Sequence, residues 1–174
     1  MDDVRLLEEF APVNQRLIEQ GLLSESTPNE GKPFDEVTAP TEWLPCAEFR
    51  LEADVNQLFA LASEDPHPWY TDESPSGYQL AVPVALLKLG TKAVHRQFVV
   101  KLPPGQSNLN AKVSCEFLAP VKVGEVYREE GRLAETYVRR GRRYQVYEGR
   151  FLDKDGNVVQ RFRQARMVGK VEEE

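Results

Sequence analysis

The sequence predicts an α+β domain: a curved antiparallel sheet wrapped around one central helix, with a helical extension at the N-terminus. Three observations carry that expectation. An apolar helical pattern, "GYQLAVPVALLKLGTKAV", occupies the middle of the chain. Period-two alternation and tight turns follow it, giving long strands in succession. A single helix followed by a run of strands is the pattern of a helix packed on one face of a sheet. The first 42 residues stand apart, acidic and rich in Ser and Pro.

Taken in order, "VRLLEEFAPVNQRLIEQGLL" places Val4, Leu7, Phe10, Leu17 and Ile18 at helical spacing, with Gly21 as a stop and Pro12 starting, kinking or breaking the helix. "SESTPNEGKPFDEVTAPTEW" then reads as an extended linker or lid. "AEFRLEADVNQLFALASE" reads as a short strand and a helix, with Asp54 as N-cap, Gln57 completing a capping box, and Val55, Leu58, Phe59 and Ala62 on one face. In the central helix Pro83 suits the first position, and Val84, Leu87, Thr91 and Val94 continue one stripe. Apolar residues at Leu80, Ala81, Leu86 and Leu89 predict burial on most sides, and His95 is expected to follow this helix in a structural role.

Beyond it, "AKVSCEFL" alternates as a strand does, with Val113, Cys115 and Phe117 against Lys112, Ser114 and Glu116. "APVKVGEVY" turns into another strand. "RLAETYVRRGRRYQVYEGRFL" predicts a hairpin around Gly141, "DKDGN" a tight turn, and "VVQRFRQARMVG" a last strand. The expected organisation is residues 1–42 as N-terminal helix and lid, 43–170 as the domain, and 171–174 as a tail.

At 174 residues, 41% hydrophobic and 29% charged, the chain fits one soluble domain with a real core. No apolar run approaches the ~18 residues that span a bilayer, and "MDDVRLLEEF" is acidic where a signal peptide is basic. The expectation is a cytoplasmic protein with no membrane partner. Cys46 and Cys115 lie in unlike contexts and read as buried thiols. With two His, two Cys and no CxxC, no metal is expected. Residues 1–42 hold ten acids and three bases, residues 125–170 twelve bases and seven acids. That basic half suits an anionic ligand. Nucleic acid is not expected, because the bases alternate along strands and no recognition signature appears.

"SEDPHPWYTD", Ser63 to Asp72, concentrates polar chemistry in a rigid turn. Pro66 and Pro68 are expected to forbid a helix through it. Asp65 is a candidate general base, against the competing reading of an Asp that bonds its own turn. His67, fixed between prolines, is a candidate acid–base partner, against an exposed loop His. A phenol ordinarily titrates near ~10, which makes a tyrosine a poor base; Tyr70 can donate a hydrogen bond or line a tunnel. Gly77 permits a turn or a close backbone approach ahead of the helix. Arg139, Arg140, Arg142 and Arg143 either grip phosphates or form a solvated hairpin tip.

These pieces, in this order, resemble the MaoC-like acyl dehydratases and (R)-specific enoyl-CoA hydratases of the hot-dog fold. The resemblance covers roughly residues 45–168. "FALASEDPHPWYTD" is similar to that family's helix and Gly-Asp-x-Asn-Pro-x-His-x-Asp turn, "GYQLAVPVALL" to the approach to the hot-dog helix. "FLAPVKVGEVY" resembles its Pro-Val-x-x-Gly-Asp turn, and "RRGRRYQVYEGRFLDKDGNVV" its closing hairpin. The resemblance implies an Asp–His dyad that adds water to, or removes it from, a thioester, with backbone N–H groups at the helix N-terminus polarising the thioester oxygen. Asp65 and Pro68 match the motif; the family's Gly, Asn and His positions hold Glu64, His67 and Tyr70. Pro83 stands where many hydratases have Gly and cannot donate, so the oxyanion donor is expected from a neighbour, such as the Val84 amide.

The implied function is hydration of 2-enoyl-CoA or dehydration of 3-hydroxyacyl-CoA with an atypical dyad. Catalytic roles fall to Asp65 and His67, and substrate contacts to Tyr70, Gly77, Val84 and Arg142. The alternatives are a non-catalytic subunit supporting a catalytic partner, or a divergent hot-dog activity such as a thioesterase. No cofactor is implied. The implied partners are an acyl-CoA or acyl-carrier thioester and a second hot-dog subunit, identical or not.

Overall fold

The C-terminal half alternates inward and outward residues, and the chain folds there into a single antiparallel sheet. The computed structural model describes residues 42–97 and 108–170, leaving aside the side chains of residues 92, 93 and 95–97. The expected first helix, most of the lid, and the tail lie outside the described residues. In chain order the elements are β1 (Leu44–Arg50), α1 (Ala53–Ala62), α2 (Pro68–Thr71), α3 (Val84–Gln97), β2 (Leu109–Phe117), β3 (Val126–Arg139), β4 (Arg142–Leu152) and β5 (Val158–Lys170).

The five strands are ordered β1-β3-β4-β5-β2, every neighbour antiparallel. The β3–β4 hairpin closes through Arg140 and Gly141, with φ of 51° and 67° and Arg139 opposite Arg142. A two-residue turn with both central φ positive matches the right-handed strand twist. The β4–β5 turn is held by the Asp153 carboxylate, which accepts from the N–H groups of Asp155 and Asn157 at 2.9 and 2.8 Å.

α3 packs on β1, β3 and β4. It buries Ala85, Leu86 and Val94 in one core with Tyr127, Leu133, Tyr147, Phe151 and Phe162. Gly90 lies so close that a Cβ there would sit 2.3 Å from the Phe151 ring and 2.4 Å from Glu129 Oε1. The helix backbone therefore rests directly on the sheet. The hot-dog arrangement expected from the sequence is what forms.

Several local expectations are corrected. Helix α1 starts at Ala53 with Glu52 in the cap position and no side-chain cap; Asp54 lies in the first turn, so the expected capping box does not form. The buried face of α1 is Val55, Asn56 and Ala60, while Ala62 is exposed. α3 begins at Val84, one residue after Pro83, and Val84 is exposed at 45%. Its fully buried positions are Ala85, Leu86, Gly90 and Val94; of the expected stripe only Val94 is among them, Leu87 and Thr91 are half-buried, and among the described side chains of the helix only Val84 and Lys88 are exposed. His95 lies inside α3 rather than after it.

The outer face carries ions. Arg150 pairs with Glu130 at 2.6 Å, Arg132 with Glu148 at 2.7 Å, and Arg163 with both Glu148 and Glu135. Burial pushes Glu148 up, but Arg132 and Arg163 outweigh it and leave its carboxyl below the usual range. The Trp43 ring lies 4.7 and 4.5 Å from the Arg132 and Arg150 guanidinium carbons. Much of the alternating basic charge is thus consumed in a cross-strand ladder.

Candidate active site

The turn after α1 is built by a backbone motif. The Glu64 N–H donates to Leu61 O at 3.1 Å and the Asp65 N–H to Ala60 O at 3.0 Å, the paired bonds of a Schellman C-terminus. That motif places the residue after the cap in the left-handed region, and Glu64 has φ 53°. The site usually holds Gly, because a Cβ is strained there.

Asp65 follows immediately and is exposed. Among the described residues its carboxylate makes no hydrogen bond or ion pair. The reading of Asp65 as a side-chain turn former is therefore not what the structure shows: the backbone makes the turn and the carboxylate is left over.

Pro66 keeps the chain extended, but Pro68 opens the single helical turn α2, so the expectation of no helix through this stretch is corrected. A proline at the first position lacks only an N–H that would be unpaired anyway, and its φ is preset. His67 caps this turn: Nδ1 accepts from the Trp69 N–H at 3.2 Å. The neutral ring then carries its proton at Nε2. The His67 ring packs edge-on against Trp69 at 5.0 Å and lies 5.8 Å from Tyr70. Like Asp65, His67 is exposed.

Tyr70 is half-buried and packs on the core. Its carbonyl oxygen accepts from Asn56 Nδ2 at 2.7 Å and from Gln79 Nε2 at 2.6 Å. Asn56 is fully buried, donates also to Leu80 O at 2.9 Å, and accepts from the Val82 N–H at 2.8 Å. The Leu80 N–H donates to Trp69 O at 2.8 Å. Through Asn56 and Leu80 the Asp65 turn is fastened to the segment that leads into α3. Gly77, at φ 79°, donates to Ser74 O at 2.9 Å and closes a tight turn in that segment.

At the start of α3, Pro83 has no N–H and the Ala85 N–H is taken by Val82 O at 2.9 Å. The Val84 amide takes no acceptor among the described residues. It is a free donor at the positive end of a fourteen-residue helix.

The structure thus gathers Asp65, His67, Tyr70, Gly77 and Val84 at one end of the domain, where β1 ends and β3 begins. It does not bring Arg142 to them within the chain. Arg142 lies at the tip of the β3–β4 hairpin, about 40 Å along the strand from that end. It also belongs to the outer face, since β4 side chains alternate and Tyr147 and Phe151 point inward.

Two polar residues escaped the sequence reading. Asn56 is one; its signal was a polar residue among the apolar positions of α1. Glu129 is the other. It is 1% exposed, neither carboxyl oxygen has a hydrogen-bond partner among the described residues, and burial pushes its pKa well above the carboxylate range. Its signal was parity: it alternates with Tyr127, Gly131 and Leu133 on the inner face. Cys46 is half-buried close by; burial, then the neighbouring Glu129, push its thiol up, which makes it an inert sulfur rather than a nucleophile. Burial also pushes Cys115 up.

No protein-family model matches this sequence, and no curated protein matches it. Solved structures do. A MaoC-like dehydratase from Rhodospirillum rubrum aligns with a TM-score of 0.62 at 19% identity, over 82% of this chain and 100% of that one. The (R)-hydratase from A. caviae involved in PHA biosynthesis aligns at 0.61 and 18% identity, over 79% and 98%. A C-terminally truncated HadBC complex, a 3R-hydroxyacyl-ACP dehydratase from Mycobacterium tuberculosis, aligns at 0.61 and 15% identity, over 75% and 99%. The chain has the hot-dog fold shared by MaoC-like dehydratases and (R)-hydratases.

Proposed function

We propose that this chain is a MaoC-like acyl-thioester hydratase or dehydratase in which Asp65 is the general base. The observation that carries the reading is the unpaired Asp65 carboxylate, fixed by backbone bonds on a turn that Asn56 ties to the N-terminus of α3. In the hydration direction Asp65 takes a proton from water and the oxygen bonds to C3 of a 2-enoyl thioester. The C2–C3 electron pair moves toward the thioester oxygen, which the Val84 N–H stabilises. His67 Nε2–H donates a hydrogen bond that orients this water, and the proton Asp65 has taken is delivered to C2, which returns both side chains to their starting state. Dehydration is the reverse.

The edge strand β2 supports assembly with a second hot-dog subunit. It exposes Leu109 at 53%, Val113 at 38% and Phe117 at 53%. An apolar unpaired edge of this kind is a pairing surface.

A second reading, a non-catalytic subunit, is favoured by His67. Its Nδ1 is committed to capping α2, and Tyr70 stands where the family's His would be. Enoyl-CoA hydration decides between them. Asp65→Asn and His67→Ala should each lower crotonyl-CoA or longer enoyl-CoA turnover on the order of a hundredfold or more. Inactivity of the isolated chain with every enoyl-CoA supports the second reading, and turnover surviving both substitutions rejects both.

A further inference from the structure

At the end of the sheet farthest from the Asp65 turn, the outer face holds a cleft of about 590 Å³. Lys112, Tyr137, Arg139, Arg140, Arg142 and Tyr144 line it. A volume of that size lies within the range of small-molecule sites.

The charge in this cleft is unlike the rest of the face. Arg132, Arg150, Arg161 and Arg163 each have a glutamate partner. Among the described residues, Lys112, Arg139, Arg140 and Arg142 have none. Arg142 Nη1 lies 3.8 Å from the Met167 sulfur, a soft acceptor that does not cancel its charge. Arg140 moreover occupies the first central position of the hairpin turn at φ 51°, where Asn, Asp or Gly fits with less strain. Four uncompensated cations around one concavity, one on a strained backbone, oppose folding unless an anion neutralises them.

The cleft also has an aromatic wall. Tyr137 and Tyr144 are cross-strand partners, with rings 4.9 Å apart and only 9° from parallel. A stacked pair of this kind is a rigid planar surface on which a base can stack. Guanidinium groups beside it match phosphate oxygens in pairs.

We propose that this cleft binds a nucleoside polyphosphate, with the phosphates on Lys112, Arg139, Arg140 and Arg142 and the base against the Tyr137–Tyr144 pair. The site does not depend on the thioester reading, because none of its residues belongs to the Asp65 turn. Its ligand chemistry has two sources, a free nucleotide or the nucleotide end of coenzyme A.

Calorimetric titration of the full chain at low salt with ADP, coenzyme A and pyrophosphate tests the proposal without any turnover. ADP and coenzyme A should both bind, and the Arg139→Ala/Arg142→Ala double variant should weaken both at least about tenfold, in line with loss of charge-assisted bonds. Tyr144→Ala should weaken ADP and coenzyme A while sparing pyrophosphate. Equal affinity for ADP and coenzyme A assigns the site to the nucleotide alone. Coenzyme A binding about tenfold tighter, and still lost in the arginine variant, assigns it to the tail of a thioester. The Arg139→Gln/Arg142→Gln variant, checked for unchanged circular dichroism, guards against a folding artefact. Absence of ADP and coenzyme A binding at millimolar concentration overturns the proposal. So do pyrophosphate binding as tight as ADP with a silent tyrosine variant, affinity retained without the two arginines, and stronger binding of a single-stranded oligonucleotide than of ADP.

Discussion

Asn56 accepts the Val82 N–H at 2.8 Å across 26 residues of sequence, so one buried amide joins α1 to the segment that starts α3. The same side chain donates to Tyr70 O and Leu80 O. Asn56→Ala should leave the Val82 N–H and the Leu80 carbonyl short of a partner in a buried place, while Tyr70 O keeps its bond from Gln79. A destabilisation of about 3 kcal/mol or more is expected, seen as a lower urea midpoint at unchanged slope. An unchanged midpoint would show that the clamp is dispensable.

Glu64 holds a left-handed conformation on the turn that presents Asp65. Glu64→Gly should therefore stabilise the chain by about 0.5–1 kcal/mol, the relief of backbone strain exceeding the extra entropy of glycine. Thermal melting checks this, and a lowered melting temperature would contradict the strain argument.

Burial favours the neutral form of Glu129 in the folded chain and raises its pKa well above the carboxylate range, while an unfolded glutamate ionises near ~4.3. Above that pH the unfolded state binds fewer protons than the native state. Stability from this group is therefore complete below the unfolded pKa and falls as pH rises toward the folded one. Cys46 is the titratable neighbour, and it too resists ionisation. Glu129→Gln keeps the shape and removes the proton, so its melting temperature should decline less between pH 5 and pH 8 than that of the parent chain. Parallel pH profiles for the two proteins would refute the assignment.

The β2 edge makes a prediction about assembly. Light scattering at micromolar concentration should report a dimer, or a complex when the partner subunit is supplied. Val113→Lys together with Phe117→Lys should yield a folded monomer, since like charges on an exposed edge oppose strand pairing. A parent chain that is monomeric under both conditions would count against the edge as an interface.

Strand alternation was legible in the sequence because one face of this sheet is buried: Tyr127, Leu133, Tyr147 and Phe151 all fall at inward parity. The Arg140–Gly141 turn was legible because only glycine and a few residues take such dihedrals without strain. The candidate site was less so. That α1 ends in a Schellman turn, and that Asp65 is left free by it, depends on backbone bonds no residue type announces. Asn56 looked like an ordinary polar position, and Glu129 like one more charge in a mixed strand. Their roles come from what the fold places around them. The α3 stripe was right at Val94 and wrong at Val84, because the sequence is apolar on several faces and packing against Phe151 selected among them.

The strand order has a further consequence for the growing chain. β3 and β4 are joined by two residues and can pair as soon as both are made. β2 precedes them in sequence, yet among the described residues it pairs with β5 alone. While the ribosome adds residues 118–157, a strand bearing Val113, Cys115 and Phe117 has nothing to pair with. It is therefore exposed to chaperones, or to a second nascent copy, until Val158–Lys170 emerges. A stall between those points releases an unpaired apolar strand, so slow translation of β5 should cost this protein more in aggregation than slow translation of β3.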